Sequence, residues 1–252
     1  MMRRLLLTLT LLASLACSAE ELSIAAAADL NFALKDIAAK YQHDTGNTLK
    51  LAFGSSGNFV VQIQNGAPFD LFFSADVGYP KKLEQSGLAE PGTLYRYATG
   101  KIVLWVPSNS KLDLRKGMEI LLDPSVRRIA IANPAHAPYG RAAEEALKNA
   151  GLYDRVKDKL VMGENISQTA QFVQTGNADV AIVALSLATA PTMRPEGRYV
   201  EVAAGMYRPI EQAVVVLKIS SKKSAAKEFL VYLQRKDIRD VLSKYGFSVP
   251  KK

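Results

Sequence analysis

The chain has 252 residues, a formal net charge of +8 and 48% hydrophobic residues. This length suits one large domain or two smaller ones, each with its own core. The single cysteine excludes disulfides within the chain and cysteine-ligated metal clusters. Because no basic cluster is interleaved with aromatic residues, nucleic-acid binding is not predicted.

The first 19 residues have the pattern of a secretory signal peptide. Met1–Arg4 is positively charged, and Leu5–Ala16 is a mainly apolar run followed by small residues. The run is too short for a permanent membrane helix, so we predict export and cleavage after Ala19. Cys17 raises the alternative of a membrane-anchored lipoprotein, although Ser14 stands where the lipoprotein pattern prefers Leu.

After this segment, short apolar runs typical of buried strands alternate with amphipathic segments typical of helices. The first set of predicted elements is strand 22–27, helix 32–43, strand 49–53, helix 59–65, strand 70–74, helix 80–86 and strand 101–106. The second set is strand 128–132, helix 141–150, strand 159–162, helix 167–175, strand 179–184, strand 212–218, and helices 224–233 and 237–244.

Apolar strands that alternate with helices predict an α/β fold with mainly parallel sheets covered on both faces. Two successive sets predict two lobes, and segments 106–110 and 204–211 carry the Pro, Ser or Gly of connecting segments. We therefore predict lobe I at residues 20–105 and 212–252, and lobe II at 106–211. A cleft between lobes joined by two strands suits hinge closure around a ligand. One continuous sheet is the alternative.

Four predicted strand ends lead directly into helices through small, hydroxyl-bearing or turn-forming residues. They are Ala27–Asp29, Gly54–Asn58, Ala137–Gly140 and Glu164–Ser167. Ligands of open α/β sheets bind beyond the carboxyl ends of the strands, and the first helical turn offers unpaired N–H groups and about half a positive charge. If these turns converge, they form an anion site without any cation. Ordinary helix capping is the alternative explanation of each single turn.

Six sequence blocks carry a resemblance to a known family. They are Ala25–Asp29, Gly54–Gly57, Asn65–Asp70, Phe73–Asp76, Gly100–Trp105 and Asn133–Gly140. Over nearly the whole chain after the signal segment, the sequence closely resembles the periplasmic molybdate-binding proteins of ABC transporters. The resemblance implies the type II periplasmic-binding-protein architecture, a periplasmic location, molybdate or tungstate as ligand, and a transmembrane permease as partner. It implies neither catalytic residues nor a cofactor, and we expect a monomer.

Carried over residue by residue, the resemblance implies a tetrahedral oxyanion bound by neutral donors. The implied ligand-binding residues are Ala28, Asp29, Ser55, Ser56, Tyr139 and Ile166. The donors are backbone N–H groups and the Ser56 hydroxyl, with Ser55 adjacent. The metal atom would be held only through its oxygens, by Ala28, Ser56, Tyr139 and Ile166. Many members have Ser, Thr or Asn at positions 28 and 29, and some have Tyr where Ala184 stands, so this chain has fewer side-chain donors.

Asp29 leaves two hypotheses about the anion. Molybdate, tungstate and sulfate carry no proton near neutral pH, and a carboxylate aimed at them would repel them. Either Asp29 points away as a helix cap and offers only its N–H, or it accepts the proton of phosphate or arsenate. Because the implied donors do not titrate, the binding affinity is expected to depend little on pH above neutrality.

Two other functional classes are alternatives. A hydrolase would use Ser56 as nucleophile and His136 as base, but Asn58 stands where the nucleophile elbow requires Gly, so no enzyme is predicted. A sugar or peptide binder would need an aromatic cleft, and core or hinge packing explains the candidate aromatic residues better because they flank apolar strands. These residues are Tyr95, Tyr97, Trp105 and Tyr207.

Overall fold

The computed structural model describes residues 19–250, so Cys17 and nearly all of the predicted signal peptide lie outside the described residues. The strands in this range are β1 Glu21–Ala27, β2 Thr48–Gly54, β3 Leu71–Ser74, β4 Tyr95–Gly100, β5 Ile102–Pro107, β6 Ile129–Ala132, β7 Leu160–Gly163, β8 Val180–Ala184, β9 Gly197–Glu201 and β10 Ile210–Val216. The α-helices are α1 Ala33–Thr45, α2 Ser56–Gln64, α3 Gly78–Gln85, α4 Pro138–Asn149, α5 Tyr153–Val156, α6 Ile166–Gln174, α7 Leu185–Ala188, α8 Lys223–Leu233 and α9 Lys236–Lys244. Short 3-10 helices are found at Ala28–Leu30, Leu114–Leu122, Lys157–Lys159 and Ala204–Met206.

The strands form two five-stranded sheets with the same plan. The first has the order β2-β1-β3-β10-β4, and the second has the order β7-β6-β8-β5-β9. In the first, β1 is parallel to β2 and β3, whereas β10 is antiparallel to β3 and β4. In the second, β6 is parallel to β7 and β8, whereas β5 is antiparallel to β8 and β9. One strand in each sheet therefore runs against the other four, which confirms two α/β lobes with mainly parallel sheets.

The chain crosses between the sheets at points that differ from the prediction. The strand at Ile102–Pro107, predicted in lobe I, pairs with β8 and β9 in the second sheet. The predicted boundary between residues 105 and 106 is therefore wrong by one strand. Only Lys101 separates β4 from β5, and the return lies between β9 and β10. An apolar run shows that a strand is buried, but it does not show which sheet supplies its hydrogen-bond partners.

Strands β4 and β9, each at one edge of a sheet, were not predicted because charged residues interrupt their apolar character. Their sequences, Tyr-Arg-Tyr-Ala-Thr-Gly and Gly-Arg-Tyr-Val-Glu, mix charged and apolar residues. An edge strand has one neighbour and faces solvent, so it does not need a continuous apolar run. We keep the name lobe I for the first sheet with α1 to α3, α8 and α9, and lobe II for the second sheet with α4 to α7.

Aromatic packing joins the chain ends of lobe I. Phe229 in α8 is fully buried, and its ring centroid lies 4.8 Å from that of Tyr41 in α1 and 6.3 Å from that of Phe73 in β3. The last helices thus complete the lobe that the first strands begin. Among residues 19–250, no helix combines the length and apolar character needed to cross a membrane.

The Phe229 contact gives a stability prediction with a control on the same helix. Phe229→Ala removes a fully buried ring and leaves a cavity, so the free energy of unfolding in urea should fall by about 3–5 kcal/mol. Val231→Ala alters a side chain that is 68% exposed and should change it by at most about 0.5 kcal/mol. Equal small effects of both substitutions would contradict this account of how α8 joins lobe I.

Candidate functional site

The four turns singled out in the sequence converge on one small cavity between the lobes. The cavity is lined by all six implied ligand-binding residues. Lobe I contributes Ala28, Asp29, Ser55 and Ser56, and lobe II contributes Tyr139 and Ile166. The rest of the lining consists of Ala, Gly and Pro residues, which leave backbone groups accessible. Whether a ligand contacts the six residues stays a prediction.

Three of the four helix starts lack the side-chain cap that the alternative explanation requires. The residues before the Ala28–Leu30 helix, α2 and α4 are Ala27, Ser55 and Ala137, and none accepts a hydrogen bond from its helix. Buried N–H groups without a partner are costly, so another acceptor is expected there. Simple capping is therefore insufficient for these turns.

The fourth helix start is capped but still offers one donor. The Asn165 side chain accepts hydrogen bonds from the N–H groups of Ser167 and Gln168, at 3.0 and 3.1 Å. The N–H of Ile166, the first residue of α6, makes no hydrogen bond to another residue in the described range. Asn165 thus fixes the turn, and the Ile166 N–H is left for an acceptor in the cavity.

Ser56 is fully buried, and its hydroxyl is oriented by a backbone group. Its oxygen accepts a hydrogen bond from the N–H of Ala75, at 3.0 Å. A hydroxyl has one proton to donate, so this contact occupies a lone pair and leaves the proton available. Ser56 therefore presents a side-chain donor at the cavity.

Two serines of lobe II hold the turn that precedes α1. The Ser167 hydroxyl donates to the Ala28 carbonyl at 3.0 Å, and the Ser186 hydroxyl donates to the Asp29 carbonyl at 2.8 Å. With both carbonyls fixed by the opposite lobe, the turn has a defined orientation. The backbone of Ala28 and Asp29 is thereby positioned at the cavity.

The Asp29 carboxyl belongs to a buried polar network that the sequence did not predict. Its Oδ2 accepts hydrogen bonds from Gln212 Nε2 at 2.6 Å and from the Tyr139 hydroxyl at 2.9 Å. Gln212 Nε2 also donates to the Tyr139 oxygen at 2.9 Å, and Gln212 Oε1 accepts from the Tyr97 hydroxyl at 2.7 Å. The expectation that Asp29 caps a helix is wrong, because its side chain is engaged by β10 and α4 instead.

Burial changes the acidity of this network. Asp29 is 1% exposed, and loss of solvation raises the pKa of its carboxyl to about 7, although the hydrogen bonds from Gln212, from Tyr139 and from its own backbone N–H act in the opposite direction. Burial, reinforced by the nearby Asp29, raises the pKa of Tyr97 and of Tyr139 well above the usual range. A group that titrates near neutrality thus lies beside the implied donors, contrary to the expectation from sequence.

A second set of contacts bridges the lobes beside the cavity. The Gly57 N–H donates to the His136 carbonyl at 2.9 Å, and His136 Nδ1 lies 3.0 Å from the Ser55 hydroxyl oxygen. On the other side of the ring, His136 Nε2 lies 3.5 Å from Glu164, which accepts a hydrogen bond from Asn58. A Cβ atom at Gly57 would lie 2.7 Å from the His136 carbonyl oxygen, so only glycine allows this approach. We call this set the rim bridge.

The rim bridge differs from the arrangement considered for a hydrolase. His136 contacts Ser55 rather than Ser56, whose hydroxyl is bonded to the Ala75 N–H. The acid that faces His136 is Glu164, whose side chain is 56% exposed. Ser55, His136 and Glu164 come from both lobes, and the acid among them is exposed to solvent. This arrangement suits a contact that joins the lobes better than a triad that activates a nucleophile.

The aromatic residues considered for an organic ligand lie away from the cavity. Trp105 is 1% exposed in β5, and Tyr207 is 7% exposed, with its hydroxyl accepting the Ile102 N–H at 3.2 Å. Tyr97 reaches the site only through Gln212. These aromatic side chains therefore pack in the core and the hinge rather than line a ligand site. Gln212 had a signal in the sequence, since it is the one amide within the apolar strand Ile210–Val216.

A larger open cleft lies beside the crossing segment between β9 and β10. Its arginines are already paired with acids across or beside it. Arg141 contacts Asp76 at 2.5 Å, and Arg208 contacts Glu145 at 3.2 Å. Because these charges are compensated, the small cavity with unpaired donors is the stronger candidate for a ligand site.

Comparison with known proteins agrees with this geometry. The molybdate-binding protein ModA of Rhodobacter capsulatus is 39% identical, covering 93% of this chain and 90% of that protein. ModA of Azotobacter vinelandii is 38% identical and covers 93% of each. The solved structure of the Azotobacter vinelandii periplasmic molybdate-binding protein superimposes with a TM-score of 0.86 at 31% identity, covering 91% of this chain and all of that one.

The match to a family covers almost the whole described chain. Residues 22–248 match the family described as bacterial extracellular solute-binding protein. The resemblance stated from the sequence blocks is thereby confirmed. With its two lobes and the shared cavity between them, the chain belongs to the bacterial extracellular solute-binding proteins.

Proposed function

We propose that this chain is a periplasmic solute-binding protein that captures molybdate or tungstate and delivers it to the permease of an ABC transporter. One observation carries the proposal: four helix starts from both lobes line a single small cavity with donors that have no partner among residues 19–250. Relatives that carry the name molybdate-binding protein support the choice of anion. The protein acts as a monomer, without a cofactor or nucleic acid.

The chemistry of the lining suits a tetrahedral dianion. Apart from Asp29, the described lining residues are uncharged, so binding depends on hydrogen bonds and helix dipoles. The donors are backbone N–H groups at Ala28, Asp29, Ser56, Tyr139 and Ile166, with the Ser56 hydroxyl, and each contacts an oxygen of the anion rather than the metal atom. Because the donors come from both lobes, the anion stabilises the closed arrangement, which a permease can distinguish from an open one.

Competition between oxyanions tests this function. Calorimetry with ligand-free protein should show molybdate and tungstate binding at least about tenfold more tightly than sulfate or phosphate, because each donor lost or mispaired weakens binding by such a factor. Perchlorate, a tetrahedral monoanion, is the matched control and should not compete. Tight phosphate binding without molybdate binding would contradict the proposed anion and favour the phosphate or arsenate alternative.

Ser56→Ala tests the side-chain donor. Removing a hydrogen bond to a charged ligand should weaken molybdate binding by about 10- to 100-fold. Ser243→Ala alters a serine in α9 that bonds only within its helix, and it should bind as the wild type does. A Ser56→Ala protein of normal melting temperature and unchanged affinity would show that the hydroxyl does not contact the anion.

Gly57→Ala tests whether the lobes must approach as closely as in the rim bridge. A methyl group there meets the His136 carbonyl, so closure is hindered and the affinity for molybdate should fall by about tenfold or more. Gly205→Ala is the control, since a Cβ there meets no atom within 4 Å. The melting temperatures of the ligand-free proteins should be similar, and wild-type affinity in Gly57→Ala would contradict the closure model.

A further inference from the structure

Hydrogen-bond directions around Asp29 determine where a proton on its carboxyl can reside. The Tyr97 hydroxyl donates to Gln212 Oε1, which turns Gln212 Nε2 towards Asp29 Oδ2 and the Tyr139 oxygen. The Tyr139 hydroxyl, having accepted from Gln212, donates to the same Oδ2. With two donors aimed at it, Oδ2 is an acceptor only. A proton on the carboxyl therefore resides on Oδ1.

The surroundings of the Oδ1 atom suit a protonated oxygen that donates a hydrogen bond to a ligand. It is buried and makes no hydrogen bond to any other residue in the described range, while Asp29 itself lines the cavity between the lobes. An ionised carboxylate in this position would carry a buried charge with an unsatisfied oxygen, which is costly. No Lys, Arg or His within residues 19–250 forms an ion pair with Asp29 that would offset the charge.

We propose that Asp29 binds the anion as a neutral acid, with Oδ1–H donating to an anion oxygen, so that each unprotonated dianion is bound together with one proton. The inference rests on the proposed function and assigns to the Asp29 side chain a direct contact with the anion.

The direction of the pH dependence follows from the ligand charge. In the ligand-free protein the pKa of Asp29 is about 7, and a dianion beside it raises the pKa further. Affinity is therefore full below about pH 7 and falls as the pH rises above it, by about tenfold per pH unit while proton uptake is complete. The facing groups from β4 and α4 are Tyr97 and Tyr139, which stay protonated in this range because burial raises the pKa of both. The other facing groups, Gln212 from β10 and Ser186 from α7, do not titrate in this range.

Calorimetry in buffers of different ionisation enthalpy tests the proposal by counting protons taken up as molybdate binds between pH 6 and 9. The wild type should take up almost none at pH 6 and about one at pH 8. Asp29→Asn retains a neutral N–H donor and should bind molybdate with no proton uptake and a flat pH profile. Proton-free binding by the wild type at pH 8, or uptake that persists in Asp29→Asn, would overturn the proposal and leave the proposed function intact.

Two further variants separate Asp29 from other charges. Asp154→Asn removes an acid that is 86% exposed and should behave as the wild type. His136→Gln removes the imidazole of the rim bridge, and it should retain the proton uptake. Loss of the uptake in His136→Gln, with Asp29→Asn unaffected, would assign the proton to His136 and overturn the proposal.

A spectroscopic measurement tests Asp29 without any ligand. Infrared difference spectra of the ligand-free protein should contain the carbonyl band of a protonated carboxyl that titrates near pH 7 and is absent from Asp29→Asn. An Asp29 that is ionised at pH 5 would overturn the proposal. Absence of molybdate binding to the wild type at every pH would instead overturn the proposed function, and the infrared result would still decide the protonation state of Asp29.

Discussion

Backbone N–H groups at the starts of buried helices have no partner within the helix, and the whole site is organised around this deficit. An ordinary protein satisfies such groups with capping side chains or water. Here the residues before three of the helices provide no side-chain cap, and the fourth helix leaves Ile166 uncapped. In the proposed function, this unmet hydrogen-bonding capacity binds an oxyanion without the desolvation cost of a buried lysine or arginine.

The sheet topology places these helix starts opposite one another. In both lobes the parallel strands end at the cleft, and one antiparallel strand follows directly from a crossing between lobes. Two crossing segments permit rotation of one lobe against the other. The serines at positions 167 and 186, which bond to the turn at Ala28 and Asp29, show that each lobe completes the other's half of the site. Neither lobe alone therefore forms the cavity.

Asp29 is the one carboxylic acid among the described residues that line the cavity, and the surrounding hydrogen-bond network explains how its carboxyl is accommodated there. Three neutral side chains, Gln212, Tyr139 and Tyr97, orient the carboxyl without compensating its charge. A neighbouring cation would lower the pKa of the carboxyl, whereas burial among amide and phenol groups raises it. Such an arrangement keeps the pKa of the Asp29 carboxyl near neutrality. The proposed proton uptake on anion binding requires a pKa in this range.

The sequence by itself determined the α/β class, the two lobes and the four turns at strand ends, because these depend on local signals such as apolar runs and small residues. The six residues that line the cavity were implied by the family resemblance, which blocks such as Gly54–Gly57 carry. Only the tertiary structure decided that β5 belongs to the second sheet, that His136 meets Ser55, and that Asp29 faces Gln212. Residues 29 and 212 are far apart in the chain, and local patterns carry no information about partners at that separation. Edge strands β4 and β9 were missed for a related reason, because their stability comes from pairing with a neighbour rather than from a continuous apolar run.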